Sequence, residues 1–161
     1  MRLFRKKVKK PFISLIYFGC KDMILCGTRN QEFTVSSGSA IRIPFPCGVE
    51  KIGAGLQTIM RETPKCKENP NPNLLEEVTG LKNLRGFSCA YPLLITVSWP
   101  VEEKICFQRY ERTEDGGHAP TENVKCCPLS ANILELGTCV YEMMGVASQA
   151  VEIRTSTTER K

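Results

Sequence analysis

Residues 92–110, PLLITVSWPVEEKICFQRY, decide the fold class. The run from Pro92 to Trp99 carries Leu93, Leu94, Ile95 and Val97 with no charged residue. It is short and rich in β-leaning side chains, which reads as a buried strand. Lys104 to Tyr110 alternates instead: Ile105 and Phe107 point one way, Cys106 and Gln108 the other. Joined across Pro100-Val101-Glu102-Glu103, the two predict an antiparallel hairpin. Cys106 is therefore the thiol least expected to be buried.

Further along, Asn132 and Glu135 have capping-box spacing. Leu129, Ile133, Leu136, Val140, Met144 and Ala147 then recur every three or four residues, and Val151 continues the series. They predict a long C-terminal amphipathic helix. The stripe reads as core, and its functional rival is a face that docks a partner helix. Gly137 and Gly145 read as weak points in that helix rather than a seam. Asn73 and Glu76 repeat the cap spacing ahead of Leu74, Val78 and Leu81, with Gly86 as the stop.

The N-terminal third is less regular. Ile13–Phe18, Met23–Cys26, Phe33–Val35 and Ala40–Phe45 read as short strands, the last two joined by a turn at Ser36-Ser37-Gly38. Val49, Ile52, Leu56, Ile59 and Met60 have helical spacing, but Gly53 and Gly55 each weaken that helix by roughly 1 kcal/mol relative to alanine. Propensity and pattern agree poorly over residues 1–62, so poor order is expected there. Breaker-rich stretches at 62–73 and 111–128 read as linkers, and no internal repeat is evident. The expectation is α+β: a basic flexible arm (1–11), a small single domain of short antiparallel strands and a long C-terminal helix (12–153), and a mobile polar tail (154–161).

Composition bounds the chemistry. The chain has 161 residues, 42% of them hydrophobic and 24% charged, enough to bury a real core. The net charge of +5 is concentrated at the N-terminus. Arg2, Arg5, Lys6, Lys7, Lys9 and Lys10 fall within residues 1–10, leaving 16 bases against 17 acids elsewhere. A nucleic-acid-binding domain would spread its positive charge over a folded face, which this body does not do. The sequence has one histidine, His118, and two aspartates, Asp22 and Asp115, so acid–base and metal chemistry have few candidate groups.

No spacing rises to a named chemistry. The nine cysteines form no Cys-x-x-Cys pair, Gly53-Ala54-Gly55 lacks the third glycine of a dinucleotide loop, and there is no Gly-x-Ser-x-Gly elbow. His118 follows Gly116-Gly117 and reads as a solvated turn residue. No catalytic residue, metal ligand or cofactor site is assigned, and no cofactor is implied. Adjacent Cys126 and Cys127 are poorly placed to bond to each other, but each can reach a different partner.

The resulting expectation is a non-enzymatic intracellular binding protein of the nucleus or cytoplasm. Its basic arm would contact an anionic partner or serve as an import signal, through Lys6-Lys7-Val8-Lys9. Its C-terminal stripe would meet another protein. Nucleic acid or an anionic membrane are further partners for the arm. The first alternative is a secreted or lipid-anchored protein held by disulfides. For this, Phe12–Phe18 followed by Gly19-Cys20 resembles a lipoprotein processing site, although Tyr17 and Phe18 are bulky for one. The second is a small cysteine-dependent enzyme. Neutralising Lys6, Lys7, Lys9 and Lys10 together is expected to change cellular distribution or partner capture while leaving the unfolding temperature unchanged. Unaltered distribution and capture would remove the arm from the functional account.

Overall fold

Two apolar runs far apart in the chain meet at the centre of the molecule. In the structure, a computed structural model describing residues 11–29, 32–68, 71, 73–145 and 151–152, β1 (Phe12–Phe18) pairs antiparallel with β5 (Leu93–Val101). Phe18 lies opposite Leu93 and Leu15 opposite Thr96. Both strands are covered on both faces: Ile16, Phe18, Ile95 and Val97 enter one cluster, Leu15 and Leu94 another. That double burial removes the polar alternation a one-sided sheet would show.

Each central strand carries two more. β2 (Asp22–Arg29) and β3 (Glu32–Pro44) extend from β1, and β6 (Lys104–Arg112) and β7 (His118–Pro128) extend from β5. The six-stranded order is β3-β2-β1-β5-β6-β7, antiparallel throughout. Glu102 and Glu103 take positive φ of 50° and 64°, the tight two-residue connection expected for the β5–β6 hairpin. A separate parallel pair joins β4 (Cys47–Gly48) to β8 (Val151–Glu152).

Helices α1 (Val49–Glu62) and α4 (Ile133–Met143) close one face through Ile52, Leu56, Leu136 and Val140. On the other face lie α2 (Leu74–Thr79) and α3 (Leu84–Ala90), which bring Leu74 and Phe87 against the sheet. The fold is a single α+β domain. No described helix is long and apolar enough to cross a membrane.

The α1–α4 crossing is made by glycines. A Cβ on Gly53 would collide with the Ile133 carbonyl, and one on Gly137 would collide with the Val49 carbonyl. Each collision is the mirror of the other. Pro44 and Pro128, Val49 and Ile133, Ile52 and Leu136, Gly53 and Gly137, and Leu56 and Val140 are all separated by the same 84 residues. Each half of the chain is thus three antiparallel strands followed by a helix, and the halves meet across a pseudo-twofold axis. This repeat is not evident in the sequence, because most aligned residues differ and only Pro44/Pro128 and Gly53/Gly137 of these five pairs are identical.

Several expectations are corrected. α4 ends at Met143, with Gly145 in the left-handed region at φ 62°, so the long C-terminal helix is only 11 residues. Val151 lies in a strand. Gly137 forms a seam with Gly53 of the other helix, whereas Gly145 lies beyond the end of α4. β3 is one strand of 13 residues, and Ser36–Gly38 is no turn between two strands. The β2–β3 register shifts between Leu25 and Gly27, and left-handed Gly38 (φ 77°) lies in the extra length of β3. The stretch 111–128 contains β7, hidden from pattern reading because Cys127 is its one buried residue. Gly80, at φ 75°, ends α2, whereas Gly86 lies in the first turn of α3 and donates its N–H to Asn83 Oδ1 at 2.7 Å. The stretch 62–73 includes a 3-10 helix, Thr63–Glu68. Far from poorly ordered, residues 12–29 form a central strand and its neighbour. Of the arm (1–11) only Pro11 is described, and the tail (154–161) lies outside the described residues.

Gly53→Ala and Gly137→Ala are each expected to destabilise the fold by about 1–2 kcal/mol net, since overpacking against a backbone carbonyl outweighs the gain of about 1 kcal/mol in helix propensity. At Gly55 a new methyl meets the movable Ile43 side chain at 3.1 Å and otherwise only ordinary contacts with Leu25 and Ile41, so Gly55→Ala should be much milder. Denaturant unfolding of the three variants checks the ordering.

Candidate functional site

The site lies beside the end of α3, the start of β5 and the residue that follows α4. A cleft of about 590 Å³ opens there, with the exposed Ala90 and Pro92 as its apolar surface and the core residues Phe18, Leu93 and Met144 beneath it. Its rim carries Arg109, Glu111 and Arg112 from β6 and the exposed Cys20 and Cys89. Gly19 makes this mouth narrow. A Cβ there would lie 2.9 Å from the Ala90 carbonyl oxygen and 3.0 Å from the Tyr91 ring, so glycine lets the β1–β2 turn lie against the end of α3.

Arg109 continues the alternation of Ile105 and Phe107 and so projects toward the α4 side of the sheet. Its Nη1 donates to the Met143 carbonyl at 3.2 Å, at the negative end of α4, and Nη2 lies 3.1 Å from Glu111 Oε1. The guanidinium also underlies Gly145, where any side chain would strike it. Its Nε is buried and donates to no described residue. Arg112 leaves by the opposite face, where its Nε donates to Ser88 Oγ at 3.2 Å. Two fixed guanidiniums against one carboxylate leave the rim positive.

Behind the cleft, a polar chain ties three segments. Tyr91 Oη donates to Asp22 Oδ1 at 2.7 Å, and Arg42 Nε donates to Asp22 Oδ2. Burial, reinforced by the Asp22 carboxylate, pushes the Tyr91 hydroxyl up to about 12. His118 Nε2 donates to the Tyr91 carbonyl at 2.9 Å, and its ring meets Tyr17 edge-on. His118 is therefore half-buried at the start of β7, not solvated on a turn. Burial lowers its pKa below 6.5; the Tyr91 carbonyl opposes this and the Arg112 charge adds to it. Among the described residues no group of three or more His, Cys, Asp or Glu side chains is placed to hold a metal ion.

The residues singled out from sequence fall elsewhere. Leu136, Val140 and Met144 are buried in this protein's own core, Ile133 is half-buried at the glycine crossing, and Leu129 is exposed before α4. Ala147 and the basic residues Arg2, Arg5, Lys6, Lys7, Lys9 and Lys10 lie outside the described residues. Arg109 and Arg112 were missed. The signal was there for Arg109, a charge on the core-facing register of a strand, which calls for a reason.

No protein-family profile and no curated protein matches this sequence. Among solved structures the chain is similar to a protein of unknown function from Neisseria meningitidis, with a TM-score of 0.49 and 9% identity. That alignment covers 94% of this chain and 100% of the other.

The lowered His118 pKa fixes a pH dependence. The unfolded state, with the ordinary histidine value, binds the proton more readily, so His118 contributes stability that is present above about pH 6.5. This contribution is lost as pH falls through the lower folded value. Thermal unfolding followed from pH 7.5 to 5 is expected to show that loss, and His118→Gln to flatten it.

Proposed function

We propose that the protein is a non-enzymatic binding protein acting inside the cell, and that its cleft captures the carboxylate-bearing, apolar C-terminal end of another protein. The observation that carries this reading is Arg109: a guanidinium held at the cleft by Met143 and Glu111, with a buried Nε that has no described partner. A rigid cation beside the exposed Ala90 and Pro92 favours a ligand with a negative head and an apolar body. Arg112, fixed from behind by Ser88, adds a second positive charge at the rim. The basic arm, through Lys6, Lys7, Lys9 and Lys10, would add long-range attraction to the same class of partner. The buried stripe on α4 supports the cleft by holding Met143 and Met144 in place.

The test uses the tripeptide acetyl-Gly-Leu-Phe, with a free C-terminal carboxylate or amidated, titrated into the full chain by calorimetry. The free acid is expected to bind at least about tenfold more tightly, the equivalent of one charge-assisted hydrogen bond or more. Arg112→Gln should weaken the acid form and leave the amide unchanged. Equal affinity for acid and amide, or no binding of either, would overturn the reading.

A further inference from the structure

Cys106 and Cys126 are directly opposite each other on β6 and β7, on the face of the sheet turned away from α1 and α4. Their Sγ atoms are 2.7 Å apart. Non-bonded heavy atoms settle at ~3.5–4.0 Å, and a disulfide bond is ~2.05 Å, so the pair is nearer to a bond than to a contact. The neighbouring thiol, Cys127, points to the other face, where it is buried and hydrogen-bonds to Cys139 of α4. The two adjacent cysteines of β7 thus serve two separate pairs. One is within reach of solvent, with Cys126 exposed and Cys106 partly so, and the other is sealed in the core.

We propose that Cys106 and Cys126 are a redox-active pair that closes to a cross-strand disulfide by exchange with a low-molecular-weight disulfide, pinning edge strand β7 to β6. The exposed Cys126 thiolate attacks one sulfur of the reagent, RSSR, forming a Cys126–SR mixed disulfide and expelling RS⁻. Cys106 then loses its proton to water and attacks Cys126 Sγ, expelling the second RS⁻. Overall the reagent gains two electrons and two protons and leaves as two thiols, and the protein loses two hydrogens. Burial and the nearby Cys126 hold the Cys106 thiol up at about 11, so the second step is the slower. β7 gains most from the staple, because it is an edge strand with one buried side chain.

The experiment incubates the full, folded, reduced chain with oxidised glutathione, then alkylates it under denaturing conditions and maps the cysteines by peptide mass spectrometry. The expected product links Cys106 to Cys126, with Cys127 and Cys139 alkylated as thiols. Its unfolding temperature should rise by ~5 °C or more, reversed by dithiothreitol. Cys106→Ser should stop at a glutathione adduct on Cys126 and show no rise. A wild-type chain that keeps both thiols free, stops at the adduct, or links Cys126 to any other cysteine would overturn the proposal. The readout is a covalent map, so its failure is distinct from failure of peptide binding in the cleft.

Discussion

The close passage of α1 and α4 at Gly53 and Gly137 is the constraint on which the rest of the structure depends. Each glycine lies against the first-turn carbonyl of the opposite helix, so neither helix can retreat without unsealing the cluster of Ile52, Leu56, Leu136 and Val140 beneath them. Because the two contacts are related by the pseudo-twofold axis, satisfying one satisfies the other. That axis also relates the two three-stranded halves, whose inner strands β1 and β5 close the sheet. Two weak halves, each exposing an apolar face and an unpaired strand, become one core with both central strands covered.

The second face is held in a different way. α2 and α3 are short and bury little, so polar ties supplement them. Asp22 receives Tyr91 and Arg42, and His118 reaches the Tyr91 backbone. Tyr91 therefore links the first turn of the sheet, the end of α3 and the start of β7. The cleft lies at the Phe18–Leu93 end of the central pair, with Arg109 of β6 turned toward α4 and Arg112 toward α3.

Thiol chemistry follows from strand geometry in the same way. Adjacent residues on a strand face opposite sides, so Cys126 and Cys127 part to different partners. Their neighbours come from the register of β6 and the placement of α4. The expectation that these two cysteines would not bond to each other rested on covalent geometry, and the partners rested on tertiary structure.

Patterns within a single element were legible in the sequence. The β5–β6 hairpin, the inward register of Ile105 and Phe107, and the capping box at Asn132 and Glu135 all hold, because each depends on neighbours a few residues away. β7 and the length of α4 were not legible. An exposed edge strand has no apolar alternation to read, and the apolar series from Leu129 to Val151 continued past a glycine that ends the helix. The cleft was hidden for a related reason: Phe18, Cys89, Arg109 and Met144 are scattered over 127 positions of the chain. The sequence by itself determined an α+β chain with a basic N-terminus and a central hairpin. Only tertiary structure decided that two glycines 84 residues apart make a seam, that two thiols face each other, and that an arginine on a core-facing register stands in a cleft. Local pattern reports which side chains avoid water, whereas these three depend on which distant backbone arrives opposite.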